Sequence, residues 1–235
     1  MTGSIRLYVA DTLSPGGIVA ATRGQAHYLA TVMRRGPGAT VLLFNGREGE
    51  FLARIETIGR DGAALRVQRS TRTQAPEPDL WLVFALLKRD ATDLVVQKAT
   101  ELGVSALLPV ITARSNTHRI NADRLAAIAT EAAEQSERLT VPALSAARPL
   151  ADLLRDWPPG RRLFAAVERS DAPPPAAAAG PRALLVGPEG GFSPDELEAM
   201  RAHPFVASAS LGPRILRAET ACIAGLALLQ GADCR

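Results

Sequence analysis

The sequence has little of the chemistry that metal sites and disulfide frameworks require. It contains two cysteines and three histidines, and Cys222 and Cys234 have neither the number nor the spacing of a disulfide set or a zinc site. It also lacks a Gly-x-Gly-x-x-Gly turn, a Walker A lysine, a His-Glu-x-x-His helix and a Cys-x-x-Cys pair. No histidine lies near a strained serine turn, which argues against a Ser/His or Cys/His nucleophile. The usual signatures of dinucleotide oxidoreductases, phosphate-loop NTPases and zinc hydrolases are therefore excluded.

Long apolar runs are missing as well. No uninterrupted run approaches the roughly 18 residues of a membrane-spanning helix, and residues 1–9 lack the apolar segment of a signal peptide. The composition, 47% hydrophobic and 22% charged, is typical of a globular protein. We therefore expect a cytoplasmic protein with no membrane partner, and its 235 residues suit one large domain or two small ones.

Positive charge is unevenly distributed along the chain. Residues 1–70 contain nine arginines and five acidic residues, a net charge of +4, whereas the total is +3. Arginine supplies nearly all of the positive charge, because Lys88 and Lys98 are the only lysines. A basic small domain beside a near-neutral larger one is typical of a module that guides a nucleic acid, although a GC-rich genome produces the same bias.

The first 70 residues predict a small, mostly β domain. Strands are predicted at 6–9, 40–44, 50–58 and 63–68, with a helix at 25–34. Arg6, Arg34 and Arg35 are candidates for phosphate contacts, with solvated surface arginines as the alternative. Residues 71–79 are polar and interrupted by prolines, as expected of a linker.

Strand-like and helix-like patterns alternate from residue 80 onward. Strands are predicted at 80–87, 106–112, 162–167, 183–187 and 205–211, and helices at 91–102, 122–138, 150–156, 194–202 and 218–230. This alternation predicts a parallel sheet covered by helices on both faces. Lys88, Arg89 and Arg114 follow strands, where the active-site loops of such sheets lie. The low-complexity segment 172–180 is predicted to be a variable surface loop.

A loop-to-helix junction at residues 187–196 is a candidate for a binding site. Its glycines leave the backbone of Gly187-Pro-Glu-Gly-Gly191 free to take positive φ and to expose N–H groups. Ser193, Pro194 and Glu196 have the order of a helix capping box with proline at the first helical position. The capping chemistry alone is equally typical of a well-formed strand-to-helix turn.

A second junction places Arg214 and Arg217 just ahead of the last predicted helix. Cations are disfavoured at a helix N-terminus by a few tenths to about 1 kcal/mol, because the helix dipole is already positive there. The pair therefore indicates an external anion or a buried carboxylate such as Glu219. The alternative is a solvated arginine pair with a local Arg217–Glu219 contact. Two such loops, each ending a strand, can together wall a ligand site.

Both junctions closely resemble the end of the ribosomal RNA small subunit methyltransferase E family, which methylates N3 of a uridine in 16S rRNA. The likeness continues in QKATELGV at 97–104, EQSER at 134–138 and RRGPG at 34–38, so it covers most of the chain in the same order. It implies a PUA-like, RNA-binding β-barrel domain at 1–70 and a trefoil-knotted, parallel-sheet α/β methyltransferase domain at 80–235. Such a knot is an exception to the rule that folds do not thread loops.

The resemblance also implies a methyl donor and partners. The donor is S-adenosylmethionine, no metal is required, and the protein acts as a homodimer. The substrate is 16S rRNA in its decoding region, within the assembled 30S subunit. The implied cofactor-binding residues are Leu185, Gly187, Pro188, Glu189, Gly190, Gly191, Leu211, Gly212, Ile215, Leu216 and Thr220. The candidate RNA-binding residues, chosen by their charge and position, are Arg6, Arg34, Arg35, Lys88, Arg114 and Arg214.

Catalysis of this reaction needs a base and a group that stabilises negative charge. Uracil N3–H must lose its proton near the time of transfer, and Glu219 or Glu134 is a candidate for the base. Arg138 or Arg217 is a candidate for stabilising the charge that develops on the ring oxygens. Glu134 and Arg138 also have the i, i+4 spacing of a simple surface ion pair, and the sequence does not choose between these residues.

Two other functions fit the same residues. A ribose 2′-O methyltransferase of the same superfamily would place the RNA differently, and mapping the methylated atom separates it from a base methyltransferase. A non-catalytic RNA-binding module would use the glycine loops only to hold phosphate. Failure to bind S-adenosylmethionine with retained RNA binding would indicate that module.

Overall fold

A computed structural model describes residues 5–115, 117, 119–176 and 180–230. These residues form two compact units: the first contains 5–76 and 133–141, and the second contains 77–132 and 142–230. The short segment 133–141 therefore belongs with the first unit, which sequence patterns did not indicate. Part of the predicted surface loop at 172–180, residues 177–179, lies outside the described residues.

A five-stranded mixed sheet builds the first unit. Its strands are β1 (Arg6–Tyr8), β2 (Ile18–Ala21), β3 (Thr40–Phe44), β4 (Glu50–Ile58) and β5 (Ala63–Arg72), in the spatial order β1-β3-β4-β5-β2. β1 pairs in parallel with β3, and the remaining pairs are antiparallel. Because side chains alternate between the faces of a strand, all five strands contribute apolar residues to one core, in which Leu43, Ala53 and Leu65 are fully buried.

The predicted helix at 25–34 is present, with a different start and end. α1 (Arg23–His27) begins at a capping box in which Thr22 Oγ1 accepts the Gln25 N–H at 3.3 Å. The helix then widens into a π-helical turn over Tyr28–Val32. Strand β2 was not predicted, because four residues at the edge of a sheet are too short to show a period.

Arg6 is the centre of a buried polar cluster in this unit. It is 7% exposed, and its Nε donates to Glu50 Oε2 at 2.8 Å. Its two terminal nitrogens donate to the carbonyl oxygens of Ala133 at 3.0 Å and Arg138 at 2.7 Å, and its guanidinium lies 4.4 Å from the Phe44 ring centroid. The donors of Arg6 are thus used inside the unit, which leaves this buried side chain poorly placed for the predicted contact with RNA phosphate.

The segment 133–141 is held to the sheet by further contacts. Glu134 Oε1 accepts the Tyr8 N–H at 2.8 Å, and Leu139 packs against Phe44. The helix that leads into it, α3 (Ala122–Gln135), ends before its predicted limit at 138. Glu137, at φ 60°, takes the left-handed conformation that commonly stops a helix.

A parallel sheet builds the second unit, as the sequence predicts. Its strands are β6 (Leu80–Ala85), β7 (Ala106–Ile111), β8 (Ala143–Leu144), β9 (Arg148–Pro149), β10 (Arg162–Ala166), β11 (Arg182–Val186) and β12 (Val206–Ala209). The spatial order is β12-β10-β11-β6-β7-β8, with β9 also pairing with β7. Every pair in this sheet is parallel.

Helices cover both faces of this sheet. They are α2 (Arg89–Glu101), α4 (Leu150–Arg155), α5 (Pro194–Arg201) and α6 (Ala218–Gln230). Leu185 of β11 packs in the core built by α4 and α5, whereas the preceding residue, Leu184, points to the opposite face and meets α6. A Cβ on Gly225 of α6 would lie 2.7 Å from Leu184 Cδ2, so glycine permits this close approach.

The C-terminal part of the chain returns from the edge of the sheet to its middle. β12 is an edge strand, yet α6, which follows it, contacts β11 and β6 in the centre of the sheet. Across the described residues, no helix is long and apolar enough to span a membrane.

Replacing Glu50 by Ala is expected to destabilise the protein strongly, because the buried Arg6 charge loses its carboxylate partner. Removing one member of a buried ion pair costs about 3–5 kcal/mol. Glu56→Ala on the same strand is the matched control, since its partner Arg66 is exposed and such pairs contribute little. Urea unfolding followed by circular dichroism measures both, and equal unfolding midpoints would contradict the central role of the Arg6–Glu50 pair.

Candidate active site

A cavity of about 230 Å³ lies at the carboxyl ends of β10, β11 and β12. Residues 167–169 after β10, residues 187–192 after β11 and four residues after β12 form its walls, and the last four are Leu211, Gly212, Arg214 and Leu216. Parallel strands end at the same edge of a sheet, where ligands of α/β proteins bind. The structure therefore brings the two predicted junctions together around one cavity.

The loop after β11 is a tight turn fixed by its own backbone. The Gly191 N–H donates to the Pro188 carbonyl at 2.8 Å, and Gly191 has φ 67°, which favours glycine. A Cβ on Gly187 would lie 3.0 Å from Phe192 Cε2, so the ring packs directly on this glycine. Arg114, from the loop after β7, donates from Nη1 to the Gly190 carbonyl at 2.6 Å. The turn is thus held by its own backbone and by the loop after β7.

The capping box predicted at the start of α5 is confirmed. Ser193 Oγ accepts the Glu196 N–H at 3.2 Å, and Glu196 Oε2 accepts the Ser193 N–H at 2.8 Å. The other carboxylate oxygen of Glu196 accepts the Ala113 N–H at 2.8 Å. One glutamate therefore caps its helix and also fixes the loop after β7 to the edge of the cavity.

The loop after β12 leads into α6 at the cavity rim. Gly212 has φ 109°, and no atom lies within 4 Å of where its Cβ would be. Leu216 and Ala218 both line the cavity, and Arg217, between them in sequence, is exposed and is not part of the lining. Glu219 follows in the first turn of α6 and is half-buried. The alternative local ion pair between Arg217 and Glu219 does not form in the described part of the chain.

Sequence patterns missed the third wall of the cavity. Glu168 and Arg169 follow β10, and Glu168 Oε1 lies 3.5 Å from the position of a Cβ on Gly191. Arg169 has φ 52°, an uncommon conformation for a residue other than glycine. The sequence did contain a sign of this wall, because both residues directly follow a predicted strand, where ligand-binding loops of parallel sheets lie. With Glu189, Arg114 and Arg214, these residues give the cavity charges of both signs.

Most of the predicted cofactor-binding residues line this cavity, and three do not. Those in the wall are Gly187, Pro188, Glu189, Gly190, Gly191, Leu211, Gly212 and Leu216. Leu185 is fully buried in the core of the sheet, and Ile215 is 60% exposed. Thr220, on the first turn of α6, is also exposed and outside the wall. A residue that matches a family motif therefore does not necessarily line the cavity.

The remaining predicted site residues are spread over both units. Arg114 and Arg214 line the cavity, Lys88 lines a second cavity, and Arg34 and Arg35 are exposed in the first unit. Glu134 and Arg138, the other pair proposed for catalysis, belong to the first unit.

The polar groups of Glu134 and Arg138 already have partners within that unit. The Glu134 carboxylate accepts the Tyr8 N–H, and the Arg138 guanidinium donates to Thr140 Oγ1 at 3.2 Å. Both residues therefore have a structural role there, in addition to any role in catalysis.

Cys222 and the metal-binding residue types offer no further chemistry here. The Cys222 thiol is buried in α6, and burial raises its pKa well above the usual range. A thiol in such a position stays protonated and is a poor nucleophile. No group of three His, Cys, Asp or Glu side chains is placed to hold a metal ion among the described residues.

Comparison with known proteins gives the class of this chain. Residues 74–230 match the family model of an RNA methyltransferase domain, and residues 21–68 match that of an RNA methyltransferase PUA domain. The cavity lies within the first match, and the five-stranded sheet contains the second. Fold and site together thus define an RNA methyltransferase with an N-terminal PUA domain.

Individual relatives identify the family. The ribosomal RNA small subunit methyltransferase E of Rickettsia conorii is 34% identical over 97% of both chains, and that of Mycobacterium tuberculosis is 33% identical over 94% of this chain and 89% of its own. The chain belongs to the ribosomal RNA small subunit methyltransferase E family, as its sequence motifs predict.

Solved structures of relatives have the same fold. The Neisseria gonorrhoeae member of the family, bound to S-adenosylmethionine, superposes with a TM-score of 0.85 at 28% identity over 98% of both chains. A methyltransferase of Legionella pneumophila with bound S-adenosylmethionine gives 0.88 at 29% identity, also over 98% of both chains. These two structures contain both the PUA-like part and the parallel-sheet part of the predicted fold.

Proposed function

We propose that this protein transfers a methyl group from S-adenosylmethionine to N3 of a uridine in the decoding region of 16S rRNA. The observation that carries the proposal is that both family motifs at 187–191 and 211–220 supply walls of one cavity at the carboxyl edge of the parallel sheet. Membership of the family supports the RNA substrate. The N3 atom, the decoding region and the assembled 30S subunit come from the family resemblance.

The lining of the cavity suits the chemical groups of S-adenosylmethionine. Gly187, Gly191 and Gly212 keep side chains away from the places where two turns approach the cavity, so backbone N–H and carbonyl groups can face a ligand. Phe192 and Leu216 offer apolar surface for an adenine ring. Carboxylate and guanidinium groups of the wall suit the ammonium and carboxylate ends of the methionine part. Two relatives with this fold bind the same molecule.

The reaction requires proton removal and positioning from the protein. When bound, S-adenosylmethionine supplies an electrophilic methyl group on a sulfonium. The uracil N3–H gives its proton to a base, the new N3–carbon bond forms as the sulfur–carbon bond breaks, and S-adenosylhomocysteine leaves. The protein acts mainly by alignment and exclusion of water, because the methyl group needs no further activation.

We assign the chemical roles to Arg217 and Glu219. Arg217 lies between two wall residues with its side chain exposed, so its guanidinium is free to approach the uracil oxygens and stabilise their negative charge. Glu219 lies in the next turn and is half-buried, and we assign it as the base. The alternatives Glu134 and Arg138 are less suited, because their polar groups already have partners in the first unit.

The PUA-like unit is proposed to dock the folded RNA. Arg34 and Arg35 are exposed there and carry positive charge to a phosphate surface. The substrate is a cytoplasmic particle, so we place the protein in the cytoplasm.

A dimer is proposed as well, since α2 and α6 pack together and expose Leu94 and Leu228, at 37% and 45%. These are apolar groups that a second copy can cover.

Methyl transfer from labelled S-adenosylmethionine to 30S subunits that lack the modification is the main test. Digestion to nucleosides is expected to give labelled N3-methyluridine. Arg217→Ala is expected to lower the rate by on the order of 10²-fold, as loss of a charge-stabilising donor does.

Arg201→Ala controls for the loss of one exposed arginine outside the cavity. A label on a ribose 2′-oxygen would replace the proposed reaction by its alternative. The absence of label on both 30S subunits and naked 16S rRNA would refute the proposal for these substrates. It would favour the alternative of a non-catalytic RNA-binding module.

Gly212→Ala is expected to weaken S-adenosylmethionine binding about tenfold, because a side chain at φ 109° strains the backbone of the cavity wall by roughly 1–3 kcal/mol. Gly160→Ala is the matched control: Gly160 also has a positive φ, 80°, and open space, and lies outside the cavity. Titration calorimetry compares the two variants. Equal affinities would show that the Gly212 backbone does not contact the cofactor.

Sedimentation equilibrium tests the dimer. The expected mass is twice the 24.8 kDa of one chain, and Leu228→Glu is expected to shift it toward the monomer by placing a charge in the apolar contact. A single-chain mass for the unaltered protein at micromolar concentration would contradict the dimer.

A further inference from the structure

A second cavity, of about 520 Å³, lies at the carboxyl ends of β6 and β7. Residues 87–89 after β6 form one side, and residues of the loop after β7, including Thr117 and Arg119, form another. Thr92 and Asp93 of α2 and Asn121 and Arg124 at the start of α3 complete it. None of these residues belongs to the first cavity, and none is used by the methyl-transfer chemistry.

The charge of this cavity is strongly positive. Lys88, Arg89, Arg119 and Arg124 line it, and Asp93 is its one acidic residue among those described. Arg124 and Asp93 form an ion pair, which leaves three cations. These three are exposed, and of them Arg89 also interacts electrostatically with Asp93. A concavity with four cations and one carboxylate attracts a polyanion.

Two helix ends increase this preference for an anion. α2 begins at Lys88, whose side chain makes no capping bond, and α3 begins beside the same cavity, where Asn121 Oδ1 accepts the Arg124 N–H at 3.0 Å. The N-terminus of a helix is positive, so cations placed there raise the local energy unless an anion binds. Asp90 and Asp123 in the first turns of the two helices offset part of this charge, but the cavity lining itself keeps more cations than carboxylates and so favours phosphate.

The two cavities are neighbours along one edge of the sheet. β6 pairs directly with β11, whose loop walls the first cavity. The loop after β7 reaches both, because Arg114 binds the Gly190 carbonyl in the first cavity and Arg119 lines the second. A nucleic-acid strand that places its target base beside the mouth of the first cavity would have flanking phosphates within reach of the second.

We propose that the second cavity binds phosphodiester groups of the RNA strand that flanks the methylated nucleotide. The proposal rests on the proposed function for the identity of the RNA, and on the cavity and its excess of positive charge for the contact itself. Lys88 and Arg119 are its principal contacts, from the loops after β6 and β7. Their contribution is electrostatic and independent of base sequence, because phosphates carry no sequence information.

The test compares two double variants that each remove two positive charges. Lys88→Gln with Arg119→Gln alters the cavity, whereas Arg162→Gln with Arg201→Gln alters exposed arginines at the first residue of β10 and the last residue of α5. The probe is a fluorescein-labelled single-stranded RNA with the decoding-region sequence of 16S rRNA. Fluorescence anisotropy measures its affinity at several salt concentrations, and calorimetry measures S-adenosylmethionine binding.

The cavity variant is expected to bind the RNA on the order of tenfold more weakly at physiological salt, with S-adenosylmethionine binding unchanged. The slope of log affinity against log salt is expected to fall by about 0.7 for each lost single-strand phosphate contact. The control variant is expected to keep at least half of the wild-type affinity. Its slope of log affinity against log salt is expected to decrease less than that of the cavity variant. Unchanged S-adenosylmethionine binding also shows that the variant is folded.

Other outcomes would overturn the proposal. Equal RNA affinity and slope in the two variants would show that the cavity takes no RNA phosphate. Loss of inorganic phosphate binding with unchanged RNA binding would make it a small-anion site instead. The proposed function fails separately: RNA and cofactor binding by the wild type without N3-methyluridine formation would refute it, while the salt slopes still decide the role of the cavity.

Discussion

Parallel hydrogen bonding between strands is the constraint on which the functional half of this protein depends. Strands β10, β11, β6 and β7 run in one direction, so the chain leaves each of them at the same edge and must form a separate connection there. Glycine loops, a capped helix start and the arginine-bearing loop after β7 therefore collect along one edge without being neighbours in sequence. Both cavities follow from that geometry rather than from any local motif.

The loops around the two cavities differ in their physical properties, so the cavities suit different kinds of ligand. The loops after β11 and β12 contain Gly191 and Gly212 at positive φ, so their backbones can approach a ligand closely. The connections after β6 and β7 instead present Lys88 and Arg119 at exposed positions. Backbone polarity suits a compact molecule with many distinct groups, and exposed cations suit a long chain with a repeated charge. One edge of a sheet thus offers two kinds of recognition.

Local patterns predicted much of this architecture, and non-local contacts account for what they missed. The Ser193 and Glu196 capping box and the strand–helix alternation depend on residues a few positions apart, which sequence periodicity shows. Arg6 looked like a surface arginine, but its partner Glu50 and its carbonyl acceptors lie 44 to 132 positions away. Glu168 escaped notice for the same reason, since only the folded sheet brings it beside Gly191.

The contacts of Arg6 have a consequence for how this chain can vary. Two of its guanidinium nitrogens are bound by main-chain carbonyls, those of residues 133, 134 and 138, and every amino acid supplies such an oxygen. Substitutions at these positions can therefore preserve the anchor as long as the helix end keeps its shape. Arg6 and Glu50 have no such freedom, because their side chains make the buried pair themselves. For the contact with Arg6 alone, substitution is thus tolerated at the residues that supply carbonyl oxygens and opposed at Arg6 and Glu50.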